Sequence, residues 1–175
     1  MLEYSLTNIA QVPSVSHRNT LVIFPIGTKK KKQKFVVGDD TGTITFFEVK
    51  RSEAISVFTS NFDEAGLQRS GAVHCIRTNL NAKKRDRIFV AQGHRIIGMT
   101  KKGKEFFRLE SPLTEAIHTM AVENVRVYTG CEYIFSLYDD GKDSGFFMSQ
   151  DRINSMVLVS NSSPRAEEER KMSEE

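Results

Sequence analysis

A strand pattern that repeats along the chain constrains its fold more than any other feature. Three segments echo one another: Lys34-Phe35-Val36-Val37-Gly38, Arg87-Ile88-Phe89-Val90-Ala91 and Arg126-Val127-Tyr128-Thr129-Gly130. Each is a short apolar run that ends in a small residue. Each is followed by a turn and a second strand-like run, at residues 43–49, 95–100 and 133–138. A four-stranded unit recurring about every 40–50 residues is the mark of a β-propeller blade. A closed propeller holds at least about four blades, and this chain carries about three and a quarter.

The remaining segments fall into place around that repeat. Residues 1–12 alternate loosely, with Leu2, Tyr4 and Leu6 on one parity, and are predicted to form a first strand. Residues 20–26 form the next, followed by a basic loop over 27–34. The first blade continues through residues 35–38, the turn Asp39-Asp40-Thr41-Gly42, residues 43–49 and an outer strand at 54–59. The second blade takes 72–78, 88–91, 95–100 and 105–110, with Lys101-Lys102-Gly103-Lys104 as a turn. The third takes 117–122, 125–130, 133–138 and 145–149, with a turn at Asp139-Asp140-Gly141-Lys142. Residues 153–160 read as the inner strand of a fourth. The domain reading is an all-β partial propeller over residues 1–160. The charged segment 161–175, nearly devoid of apolar residues, is predicted to be a disordered tail.

Composition excludes several classes. The longest clean apolar run, residues 21–26, is interrupted by Pro25 and falls far short of the roughly 20 residues a membrane span needs. The start, Met1-Leu2-Glu3-Tyr4-Ser5, lacks the basic and apolar regions of a secretory signal, so the cytosol is the expected compartment. The two cysteines, Cys75 and Cys131, sit in separate repeats beside apolar residues and are expected to be reduced, strand-borne thiols. His17, His74, His94 and His118 are dispersed in sequence. His74 adjoins Cys75, but neighbours on a strand point to opposite faces, so no metal and no cofactor are expected.

The net charge of +3 is uneven: the segment after Ser160 has three basic and five acidic residues, leaving 22 basic and 17 acidic groups, or +5, in the body. Lys29, Lys30, Lys31 and Lys32 with Lys34 form the densest basic cluster. Lys83, Lys84 and Arg85 occupy the equivalent loop of the next blade, so both clusters are expected on one rim. Solvated loops are the plain explanation; attraction to an anionic membrane surface or nucleic acid is the functional one. The pairs Phe46-Phe47, Phe106-Phe107 and Phe146-Phe147 are expected to place one ring between blades and the other outward. The turns at Asp39 and Asp139 read as matching features of repeated architecture rather than paired catalytic carboxylates. No nucleophile elbow, zinc-protease helix or phosphate loop is present, and no catalytic residue is expected.

Three further stretches carry a resemblance. They are Ile96-Ile97-Gly98-Met99-Thr100-Lys101-Lys102-Gly103-Lys104-Glu105-Phe106, then Leu113-Thr114-Glu115-Ala116-Ile117, then Asp151-Arg152-Ile153-Asn154. Together with residues 35–47, which hold Gly38, Asp39 and Gly42, they resemble the Bardet–Biedl syndrome 7 propeller family over residues 4–160. The chain lacks the Trp-Asp signature of the commonest propeller repeat and has no Trp. The resemblance implies a non-enzymatic subunit of the BBSome, which carries membrane-protein cargo in cilia and is recruited by an Arf-like GTPase. It implies other BBSome subunits as partners, a cytoplasmic and ciliary location, and no specific nucleic acid. In that family a seven-bladed propeller precedes a coiled coil and further domains. A partial ring leaves a blade face uncovered, so the chain is expected to be marginal alone. Ile153, Met156 and Leu158 are the expected exposed pairing edge.

Overall fold

The computed structural model describes residues 4–8, 11, 15–24, 33–51, 53–60, 71–79 and 87–159. Those residues form three four-stranded antiparallel meanders and no helix. The first sheet is β1 (Leu21–Ile23), β2 (Lys34–Gly38), β3 (Ile44–Lys50) and β4 (Glu53–Ser60). The second is β5 (Val73–Thr78), β6 (Arg87–Gln92), β7 (Arg95–Thr100) and β8 (Glu105–Glu110). The third is β9 (Thr119–Glu123), β10 (Arg126–Gly130), β11 (Ile134–Asp139) and β12 (Lys142–Met148). The three echoing segments are β2, β6 and β10, each the second strand of its sheet.

The apolar runs follow from burial on both faces. Along β6, Ile88 and Val90 join a core with Val36, Ile44 and Phe46 of the first sheet. Phe89 and Ala91 join a second core with Met120, Val122 and Val127 of the third. A strand covered on both faces loses the polar alternation of a half-exposed one. The small residue ending β2 and β10 has an equally direct cause. A Cβ on Gly38 would lie 2.8 Å from Val73 Cβ, and one on Gly130 would lie 2.6 Å from Thr119 Cγ2 and 3.1 Å from Ile153 Cγ2. At Gly38 the next inner strand crosses, while at Gly130 the space is taken by Thr119, its ladder partner in the same sheet, and by Ile153.

Polar ties reinforce the stack. Val73 N donates to Asp39 O at 2.9 Å and Ile76 N to Asn19 O at 2.9 Å, joining first and second blades. Gln92 Nε2 donates to Gly42 O at 2.8 Å. Between second and third blades, buried Asn79 donates from Nδ2 to Asn124 O at 2.9 Å and accepts from Asn124 N at 3.2 Å. The turn at Asp39 is a side-chain-capped hairpin: Asp39 Oδ1 accepts from Thr41 N at 3.0 Å, Thr41 Oγ1 at 2.7 Å and Thr43 N at 2.9 Å. Gly42 supplies the positive φ of 84°. Asp140 and Gly141, with φ of 48° and 77°, make the two-residue turn that suits the twist of a hairpin.

Several expectations are corrected. The two acidic turns do not occupy matching places: Asp39 caps the connection from β2 to β3, whereas Asp140 and Gly141 connect β11 to β12. The described residues 4–8 and 11 carry no strand, and Tyr4 and Leu6 are exposed, because no described strand pairs with them. Residues 153–159 likewise form no ladder. They nonetheless begin as an inner strand does: Ile153 N donates to Glu132 O at 2.8 Å, just as Ile117 N donates to Gly93 O at 2.8 Å. Cys75 lies on β5, but buried Cys131 sits in the β10–β11 turn, its N–H donating to Ile134 O at 2.9 Å. The phenylalanine pairs differ from one another. Phe46 and Phe47 are both buried, since Phe46 stacks on Phe24 and Phe58 while Phe47 stacks on Phe35 across the opposite face. Phe106 is exposed and Phe107 half-buried, and Phe146 and Phe147 are both exposed. Residues 161–175 lie outside the described residues.

Candidate functional site: the open face of the third blade

β12 forms the outer edge of the third sheet, and every one of its residues is exposed. Its apolar end is exposed, with Phe147 on one face of the strand and Phe146 and Met148 on the other, and Tyr133, Val157 and Val159 are exposed as well. The preceding blade shows what such a surface is built for. Leu109 on β8 opposes Ile96, and Phe147 on β12 opposes Phe135, equivalent places in the two sheets. Leu109 is 9% exposed because the third blade covers it, whereas Phe147 is 64% exposed. An apolar residue exposed at a place built for burial marks an association surface. The first sheet presents a smaller counterpart: Val22 packs inward on the core while Leu21 and Ile23, on the opposite face of β1, are exposed.

The expected pairing edge is arranged differently from the expectation. Ile153, Met156 and Leu158 are half-buried, and the exposed apolar side chains of that segment are Val157 and Val159. Ile153 is drawn in because it packs over Gly130. The exposed strand β12 was legible as an aromatic pair followed by methionine. That pattern, however, is identical to a buried one until the absence of a neighbour is known.

Of the expected basic surface, Lys29, Lys30, Lys31, Lys32, Lys83, Lys84 and Arg85 lie outside the described residues. Lys34 belongs to β2, where it opposes Glu48 in the ladder and its Nζ lies 3.8 Å from Glu48 Oε2. It is therefore a paired, half-buried residue of the sheet. In the second sheet, the Arg87 guanidinium stacks 4.7 Å above the Phe106 ring. Arg126 Nε bonds Asp139 Oδ2 at 3.1 Å, which raises the guanidinium's already high proton affinity.

Both thiols are held toward the protonated form. Burial pushes the Cys75 thiol up from its ordinary value, against the opposing pull of Arg77. Burial, with Glu115 adding to it, pushes Cys131 up to about 11. Thiolate formation is what reactivity requires. Among the described residues no group of three His, Cys, Asp or Glu side chains is placed to hold a metal ion. The histidines are nonetheless less dispersed than their spacing implies. His17, His74 and His118 meet, with ring centroids 5.6 Å apart for the first pair and 5.4 Å for the second. Sequence reasoning missed this because His74 is the extra residue of a bulge: Val73 opposes Gln92 and Cys75 opposes Ala91. The available signal was that His74 precedes Cys75 and His118 precedes Thr119, and that Cys75 and Thr119 face the final small residues Ala91 and Gly130.

Three four-stranded meanders, stacked face to face through two apolar cores and open at both ends, define a partial β-propeller. The fold is shared with the solved structure of U3-55K, at a TM-score of 0.58, 8% sequence identity, 80% coverage of this chain and 46% of that one. The chain belongs to the BBS7 beta-propeller family, whose model matches residues 21–169. It is 33% identical over 147 residues to the BBSome complex member BBS7 of Mus musculus, covering 83% of this chain and 19% of that protein. It is 27% identical over 161 residues to the BBSome complex member bbs-7 of Caenorhabditis elegans, covering 91% and 21%. The chain thus spans about one-fifth of the length of these curated relatives. Both relatives are named as members of the BBSome complex.

Proposed function

We propose that this chain acts as a non-enzymatic assembly element of the BBSome. In that role it supports trafficking of membrane-protein cargo to and within cilia, and ciliogenesis. Its partners are other BBSome subunits, and its setting is the cytoplasm, the ciliary basal body and the ciliary membrane. The observation that carries this reading is exposed Phe147 on the β12 edge, at a place where the preceding blade buries its equivalent, Leu109, in a chain whose relatives are named BBSome complex members. An exposed apolar surface of this kind fits a protein partner that covers it.

A second reading, approach to an anionic membrane, is favoured by topology. In an antiparallel meander the first and third turns leave by the same end. Among the described residues, the β7–β8 turn exposes Lys102 and Lys104. The two readings separate by salt, since screening weakens charge contacts and leaves apolar ones.

The test is a pull-down from ciliated cells with the 175-residue chain as bait, washed at moderate and at high salt and read by mass spectrometry. Recovery of BBSome subunits at both salts, and their loss with Phe146→Ser combined with Phe147→Ser, supports assembly through the β12 face. Recovery of chaperones alone would count against it. Acidic-lipid vesicles that bind at moderate salt and wash off at high salt would support the rim reading.

A further inference from the structure

We propose that His17, His74 and His118 form an acid-sensitive latch at the hub of the propeller, which holds the segment before β1 against the inner strands of the second and third blades. The residues come from three separate blades: His17 precedes β1, His74 is the bulge residue of β5, and His118 immediately precedes β9. Their rings form a chain with His74 in the middle, 5.6 Å from His17 and 5.4 Å from His118 between centroids. A bulge re-aims a side chain that a regular strand would send elsewhere. Here it directs His74 toward both partners.

The segment they hold also ties the first two blades together. Asp40 N donates to Val15 O at 2.9 Å, Gly38 N to Thr20 O at 2.9 Å, and Ile76 N to Asn19 O at 2.9 Å. Thr20 Oγ1 closes the turn on His17 O at 2.8 Å. Arg77 Nη1 bonds the carbonyls of Ile76 at 2.9 Å and Asn19 at 3.3 Å. His118 is itself anchored, its N–H donating to Gly130 O at 3.0 Å. Loss of the His17 contact therefore opens an interface between blades and not merely a loose end.

The charged groups on the surrounding elements do not neutralise a proton on His74. Asp39, from the β2–β3 turn, directs Oδ1 at Thr41 and Thr43. Glu115, ahead of β9, accepts from Glu132 N through Oε2 at 3.2 Å. Arg77 on β5 is occupied with backbone carbonyls, and Arg18 and Asp40 are exposed. His74 is held below its ordinary proton affinity by burial first, then by His118 and His17, and no carboxylate opposes them. The sign follows. A histidine with a lowered native pKa is protonated more readily in the open form. Opening is therefore favoured as pH falls below 6.5, its ordinary value. Each proton taken up on opening multiplies the opening constant by up to about 10-fold per pH unit within that window. Two protonated imidazoles at this spacing also repel one another.

The experiment uses the whole chain. Histidine ring resonances are titrated by NMR, and the protection factors of the Ile76 and Gly38 amides are measured from about pH 7 to about pH 5. The expected result is that His74 titrates below 6.5 and moves up toward that value in His17→Gln and in His118→Gln. Protection of both amides is expected to fall with acidification by up to about 10-fold per unit and to lose that dependence in His74→Gln. His94→Gln, in the β6–β7 turn, is expected to leave it unchanged. If His74→Gln fails to fold, the His17→Gln and His118→Gln chains carry the same test, since neither residue lies in a ladder. Acid-independent protection in the parent chain would overturn the proposal, as would a pH dependence in His17→Gln, His74→Gln and His118→Gln that is unchanged from the parent's.

Discussion

Gly38→Ala tests whether close crossing of one blade's end by the next blade's inner strand holds the stack together. The added Cβ would sit 2.8 Å from Val73 Cβ and 3.0 Å from Val73 Cγ2, inside the ordinary carbon contact distance. Val73 cannot swing aside, because it is fully buried in the core shared by the first two blades and its N–H is tied to Asp39 O at 2.9 Å. The sheet and the strand must move apart, and overpacking of this kind costs about 1–3 kcal/mol. Restricting the unfolded chain offsets about 0.4–1 kcal/mol of that, since Gly38 has no positive φ. The net loss is then about 0–2.6 kcal/mol, and a mid-range value of about 1.3 kcal/mol corresponds to a factor of about 10 in the opening constant. Native-state hydrogen exchange reads this directly at the amides of Val73 and Gly38, with the Ser149 amide, bonded to Tyr133 O in the third blade, as the distant control. Val73→Ala alone removes two methyl groups at about 0.8 kcal/mol each, and the cavity adds to that. In the double variant the alanine at 38 occupies part of the space, so the two losses should fall short of their sum by about 0.5–3 kcal/mol. Additivity within about 0.5 kcal/mol would refute the steric argument.

Two other outcomes follow from the open faces and the buried thiols. The isolated chain is expected to unfold over a broad range and to self-associate, with Phe147→Lys lowering the apparent mass in analytical ultracentrifugation. A monodisperse parent chain with a sharp two-state transition would show that the β12 face needs no cover. Because Cys131 is raised to about 11 and Cys75 is raised as well, the native fold disfavours both thiolates. Their contribution to stability is full below 9.0 and is lost as pH rises from there toward about 11. Alkylation near neutral pH should accordingly be slow in the folded chain and rapid in denaturant. Equal rates in both would contradict the burial.

The strands were legible from the sequence where burial on both faces left an uninterrupted mark. The run Arg87-Ile88-Phe89-Val90-Ala91 has no polar alternation, because Ile88 and Val90 face one core and Phe89 and Ala91 the other. Its recurrence at Lys34 and Arg126 was enough to place the second strand of every sheet. Turn chemistry was equally local: Asp39 caps its own hairpin within a few residues, and Gly103 takes the positive φ of 81° that the β7–β8 turn needs.

What lay between blades was decided by the tertiary structure alone. Phe147 and Leu109 are both apolar residues at equivalent places on outer strands, and only the presence or absence of a neighbouring sheet makes one exposed and the other buried. Residues 153–159 are apolar enough to be a strand, yet a strand exists only with a ladder partner. The histidine chain depends on a bulge that reverses the side-chain alternation at His74, and on contacts among residues as far apart as 17 and 118. Periodicity records which face a side chain takes within its own strand. The sequence by itself therefore determined the repeated second strand of each blade and local turns such as those at Asp39 and Gly103. The partner of each face is set by sheets distant in the chain, and so the stack, its open ends and its imidazole hub belonged to the tertiary structure.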